Sequence, residues 1–269
     1  MTLRRSTGAM ALTALAALAV PAVAAADTLE AYNNGAVVSN TLINTMWVLV
    51  AAVLVLFMQA GFAMLEIGFS RAKNAGAGVA KILTNLSIAA ICYWAVGFAL
   101  AFGVDDSVYG LFGTDGFLLR GYSEVAPSAD LAELGVVQGD PRAAFPVMGL
   151  SDATIEAKWL FQFAFCAVSL AIVWGTTLER IKYSAYVIYA IVFASIIYPV
   201  GSHWVFGGGW LQETVGMQDF AGSTAVHLIG ATGALAALLL LGARKGKFGP
   251  DGVPRAIPGH SMPLVGLGT

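Results

Sequence analysis

The chain has 269 residues, 58% of them apolar and only 11% charged, with a net charge of −2 and a mean hydropathy of +0.77. A soluble domain carries roughly 25% charged residues, so this composition argues for a protein embedded in a membrane. The acidic balance and the lack of a basic run argue against a nucleic-acid partner, and Cys92 and Cys166, each inside an apolar stretch, read as small packers rather than a disulfide or metal motif.

Met1 to Ala26 opens with Arg4 and Arg5, continues with a short apolar run and ends in small residues before Asp27. That pattern predicts a secretory signal peptide cut after Ala24 or Ala26, which places the mature N-terminus outside the cytoplasmic membrane. Residues 27–269 then form one membrane domain with five predicted spans. They centre on Met46–Met64, Ile82–Gly103, Trp159–Gly175, Tyr183–Val205 and Phe220–Leu241, and a sixth is predicted to begin at Met262. The fold class is therefore an all-α integral membrane protein, a polytopic helix bundle of five spans plus the start of a sixth.

The inner segments implied by this topology carry Arg71, Lys73, Lys81, Arg180, Lys182, Arg244, Lys245, Lys247 and Arg255. The outer ones carry Arg120, Arg142 and Lys158. The asymmetry obeys the positive-inside rule. The outer loop, residues 104–158, holds most of the acids, which either raise the local cation concentration or merely solvate a connector. A short amphipathic helix is expected around 128–134.

The last span, with its approach, reads DFAGSTAVHLIGATGALAALLLL. Asp219 stands at its mouth as a helix cap. His227 follows eight residues later, about 80° beyond two full turns and so on loosely the same side. An ionisable ring at membrane depth points to a pathway, with an interhelical hydrogen bond as the alternative. Phe161 and Phe165, four apart, share a helical face. Aromatic faces attract ammonium-type cations, whereas the residues alone favour core packing. Trp204 and Trp210 in SHWVFGGGW read as an interfacial belt, and His203 as structural. Glu66 either snorkels or pairs with Arg71 or Lys73, and His260 receives no role. There is no HExxH, no carboxylate cluster within the spans and no cofactor motif, so neither an enzyme nor a cofactor is expected.

The blocks MQAGFAMLEIGFSRAKN, FQFAF, LERIKYSA, HWVFGGGW and DFAGSTAVHL occur in order. Together they resemble the ammonium transporter family (Amt/Mep, with the Rhesus glycoproteins as distant relatives). The resemblance implies homotrimers of eleven-helix protomers, each with a pore between two inverted halves, of which this chain would be the N-terminal half. It implies that Phe165, Phe206 and Asp219 recruit ammonium at an outer site. It makes Phe165, flanked by Phe161, part of the gate below, and His227 the first of two pore histidines. It further implies uptake of ammonium or ammonia across the inner (plasma) membrane, and a PII-type regulatory protein on the cytoplasmic side, where Arg244–Arg255 would contribute.

Three features depart from the family pattern. Phe206 stands where tryptophan is frequent, Gly222–Ser223 stands where Gly-Gly is frequent, and the sequence stops at PGHSMPLVGLGT. One half cannot enclose such a pore, so a piece of a longer protein or a truncated inactive fragment is expected. An ammonium sensor with a transporter-like membrane domain is the other functional alternative.

Overall fold

The computed structural model describes residues 35–105, 107, 110–120, 144, 145, 147, 148 and 153–269. The signal peptide expected over 1–26 and the amphipathic helix expected around 128–134 lie outside the described residues. Among those described there is no strand, only an isolated bridge between Phe248 and Pro254. Five helices are long and apolar enough to cross a membrane. The elements are α1 (Gly35–Phe69), α2 (Ala72–Phe102), α3 (Ile155–Thr176), α4 (Tyr183–Glu213), α5 (Ser223–Leu241) and the short α6 (Met262–Gly268). The chain is an all-α, multi-pass membrane protein.

Several boundaries differ from the sequence-based expectation, among them the start of α3 at Ile155 and the end of α4 at Glu213. The second span begins at Ala72, not Ile82: the small residues of AGAG continue the helix, and Lys81, read as part of a connector, is buried inside it. The fifth begins at Ser223, not Phe220, because Gly222 adopts φ +91°, a left-handed conformation that suits glycine and sets the helix start. Phe220 is left 90% exposed. Lys158, read as a loop base, is buried in the first turn of α3, where its Nζ donates to the Met148 carbonyl.

Helix α3 is the axis of the bundle. Over its most apolar window 56% of its residues are buried, against 11% for α1, which therefore runs along the outside. Thr154 caps α3 by accepting a hydrogen bond from the Ala157 N–H (3.4 Å). The core around it is aromatic, with Tyr93, Phe98, Phe102, Phe145, Trp174, Phe193 and Tyr198 all 0–1% exposed. A polar knot ties four helices together at membrane depth. Asn85 donates to Gln59 Oε1 (3.2 Å) and to the Ala167 carbonyl (3.0 Å), and the Tyr186 hydroxyl donates to Asn85 Oδ1 (3.2 Å). Amide and phenol groups at that depth need partners on neighbouring helices, and these supply them.

Three spans contain a π turn: Tyr93–Gly97 in α2, Phe193–Ile197 in α4 and Ser223–Leu228 at the start of α5. In α4 the wider turn precedes Pro199, whose ring and missing N–H an unbroken α-helix would not accommodate.

The connections with Arg71, Lys73, Arg180, Lys182, Arg244, Lys245, Lys247 and Arg255 gather at one end of the bundle, called here the basic end. Glu179 organises it. Its carboxylate, 1% exposed, pairs with Arg71 (3.1 Å) and Arg244 (3.4 Å) and accepts from Asn74 Nδ2 (2.5 Å).

Candidate functional site

The site is built on one face of α3. Phe161 and Phe165, one turn apart, bring their rings to 4.5 Å between centroids at 51°. Phe206, at the end of the regular part of α4, places its ring 6.4 Å from that of Phe165 at 31°. The midpoint between those two rings lies 3.2 Å from each centroid (half of 6.4 Å), well inside the roughly 6 Å over which a ring attracts a cation. The three rings singled out from the sequence thus come together at the end of the bundle opposite the basic one.

What holds Phe206 in place is a pair that the sequence did not reveal. His203, one turn earlier and fully buried, sets Nδ1 2.9 Å from the Ala101 carbonyl and Nε2 3.3 Å from Asp105 Oδ2. Both ring nitrogens therefore face acceptors. Asp105 is itself fixed by the backbone N–H and hydroxyl of Ser107. Next to His203, Trp204 donates its indole N–H to the Leu111 carbonyl (2.9 Å) and packs edge-on against Trp210 at 6.0 Å. The indole is spent on tethering the loop after α2.

Asp219 caps α5 more completely than the sequence suggested. Oδ1 accepts from the N–H groups of Gly222 (2.8 Å) and Ser223 (3.0 Å) and from the Ser223 hydroxyl (3.3 Å). Oδ2 accepts from the N–H groups of Thr224 (2.7 Å) and Ala225 (2.9 Å). A carboxylate offers about four lone-pair sites, so these donors saturate it. Burial pushes the Asp219 carboxyl up, but the N–H groups of Ala225, Thr224, Gly222 and Ser223 outweigh it and hold the group below the usual carboxylate range. Asp219 is thus a fixed negative charge that acts through its field, not a ligand with a free oxygen.

His227 lies in the π turn, and its Nδ1 sits 3.1 Å from the Gly222 carbonyl. That oxygen can only accept, so Nδ1 carries a proton, and the tautomer this selects has its lone pair on Nε2. Gly222 therefore links the two residues: its N–H serves Asp219 and its C=O serves His227. Ser169, four residues beyond Phe165 and so on the same face of α3, donates to the carbonyl of Val226 (2.8 Å), the residue before His227. The Ser169 hydrogen bond thereby seats the first turn of α5 on the ring-bearing face of α3, where the α3–α5 seam begins, while the His227 ring itself is exposed. Sequence reasoning passed over Ser169, although its spacing from Phe165 was the available signal.

The remaining ionisable residues sort as follows. Of the two readings left open for Glu66, snorkelling or pairing with Arg71 or Lys73, the pairing is not formed: Arg71 is held by Glu179. His260 Nδ1 lies 3.1 Å from the Ser70 carbonyl and docks the segment before α6 on α1. Among the described residues no group of His, Cys, Asp and Glu is arranged to hold a metal ion.

The comparisons with known proteins agree with this architecture. The profile of the Ammonium Transporter Family matches residues 46–269. Ammonium transporter Amt2 of Archaeoglobus fulgidus is 40% identical over 236 residues, which are 84% of this chain and 44% of that protein. Ammonium transporter Amt1 of Haloferax mediterranei is 37% identical over 235 residues, 84% of this chain and 40% of that protein. Among solved structures, one described as a sensor Amt protein superposes with a TM-score of 0.69 at 34% identity, covering 85% of this chain and 51% of its own. Candida albicans Mep2 superposes with a TM-score of 0.63 at 27% identity, covering 83% of this chain and 44% of its own. The chain spans about half the length of the relatives it matches. With its family profile running through the ring-bearing α3, the Asp219 cap and the α5 imidazole, this chain belongs to the Ammonium Transporter Family.

Proposed function

We propose that this chain takes part in carrying ammonium or ammonia across a membrane, with the basic end facing the cytoplasm and the ring-bearing end facing outward. Ammonium is drawn by the fixed charge of Asp219 and held between the faces of Phe165 and Phe206. It passes Phe165, which, flanked by Phe161, supplies one ring of the gate at the outer entrance, and meets Nε2 of His227. Potassium is similar in size to ammonium but brings no N–H, so a lone-pair acceptor in a dry passage favours ammonium or ammonia over metal ions. The reading includes a homotrimer in the inner (plasma) membrane, and a PII-type regulatory protein that docks on the cytoplasmic side near Arg244–Arg255.

The observation that carries the proposal is the row of Phe161, Phe165 and Ser169 on one face of α3, with Ser169 bonded to the residue before His227. The experiment is uptake of radiolabelled methylammonium by cells expressing the full reading frame. His227→Ala should lower uptake at least about tenfold, as loss of a polar pore group worth about 1.4 kcal/mol or more does. Uptake equal to that of the unsubstituted protein rejects the role. The likeness to the sensor Amt structure favours a second reading, a transporter-like body that reports ammonium to a signalling partner. Ammonium binding without methylammonium flux would select it.

A further inference from the structure

The seam does not stop at Ser169. On α3, Phe161, Phe165, Ser169, Ile172 and Thr176 recur at intervals of four, four, three and four, one continuous stripe of the helix. At the basic end this stripe opens into a 410 Å³ cavity, lined by Ile172 and Thr176 of α3, by Phe62 and Glu66 of α1, and by Arg180 and Arg244. Glu66 is 9% exposed, and among the described residues neither an ion pair nor a hydrogen bond engages its carboxylate. The carboxylate rests against α3 at Gly175, where a Cβ would come within 1.7 Å of Oε1. The helix therefore leaves room for an acid on the stripe.

A carboxylate buried without a partner is unfavourable, and such a group in a membrane helix faces a cavity or a pathway. Neither guanidinium that shares the cavity forms an ion pair with it. Arg244 is held by Glu179 at 3.4 Å, and Arg180 Nη1 donates to the Gly242 carbonyl at 3.1 Å. We infer that Glu66 is a second cation-binding residue, which accepts N–H hydrogen bonds from ammonium at the basic end of the same seam. The inference rests on the transport reading above and names the inner station of that route. The two guanidinium groups keep the station weak, which suits an exit: binding favourable enough to enter and loose enough to leave.

The test compares everted membrane vesicles, which present the basic face, with right-side-out vesicles from cells expressing the full reading frame. The measured quantity is the half-saturating concentration of methylammonium. Glu66→Gln is expected to raise it about tenfold at the basic face against about twofold at the opposite face. Glu66→Asp, which keeps the charge, should recover most of the difference. If Glu66→Gln matches the unsubstituted protein at both faces, the carboxyl sits idle in its cavity and the inference fails. Equal losses at both faces for Gln and Asp alike make Glu66 a packing residue and overturn it too. If the unsubstituted protein carries no methylammonium from either side, the transport reading itself falls and this station with it.

Discussion

Gly222 is a single peptide unit asked to serve two ionisable neighbours, and the chemistry of both follows from it. Because Asp219 is saturated by backbone donors, its charge is locked to the start of α5. Asp219→Asn keeps the shape but turns an NH₂ group toward N–H groups that need an acceptor. Losing a charged acceptor of this kind costs about 2–3 kcal/mol, so the substitution should lower the thermal midpoint of the detergent-solubilised protein clearly. A melt unchanged from the parent would show that the cap matters little. At this scale the sequence was legible where spacing is local: Phe161, Phe165, Asp219 and His227 are joined by short intervals on single helices. It was opaque where partners are distant. His203 and Asp105 stand 98 positions apart, and nothing in either neighbourhood announces the other. The pairing alternative for Glu66 failed for the same reason, since Arg71 had a better partner in the distant Glu179.

Among the elements, the turn between α3 and α4 does the most joining. Glu179 has φ +61°, a left-handed conformation uncommon for a residue with a side chain. It aims one carboxylate at Arg71 from the α1–α2 connection and at Arg244 after α5. Burial alone would raise the Glu179 carboxyl, but the hydrogen bonds from Arg71 and Asn74 prevail and hold it at about 2 instead of its ordinary 4.5. A folded-state value below the unfolded one contributes stability that is fully present above about 4.5 and is lost as pH falls through about 2. The thermal midpoint should therefore fall progressively over that window. Glu179→Gln should remove this part of the acid sensitivity and start from a lower midpoint at neutral pH. An identical acid profile for the two proteins would contradict the assignment. The helices themselves were legible as apolar runs, whereas the π turns were not. Hydropathy fixes where a span lies but carries no mark of the one extra residue per turn that rotates the rest of a helix.

At the scale of the molecule, the difference between a central α3 and a peripheral α1 predicts what lipid touches. Trp47, Leu54 and Phe57 on α1 are exposed at 76%, 66% and 73%, whereas Ala167 on α3 is at 0%. A nitroxide label at position 54 in reconstituted membranes should be strongly relaxed by dissolved oxygen, and one at position 167 shielded from it. Equal relaxation would mean that α3 is not the axis. The class of fold could be read from composition and the spans from apolar runs, but which helix sits inside could not, because the more apolar α1 is the less buried of the two.

One contact also sets a timetable. The segment leading into α6 docks on α1 between Ser70 and His260, 190 positions apart. The surfaces meet so closely that a Cβ at Gly68 would fall 2.7 Å from the Ser261 carbonyl, and one at Gly268 2.4 Å from the Leu65 nitrogen. During synthesis α1 leaves the ribosome well before α6, so its glycine-lined groove stays without this occupant until the chain has grown past position 268. The earlier helix must wait, groove open, for the later.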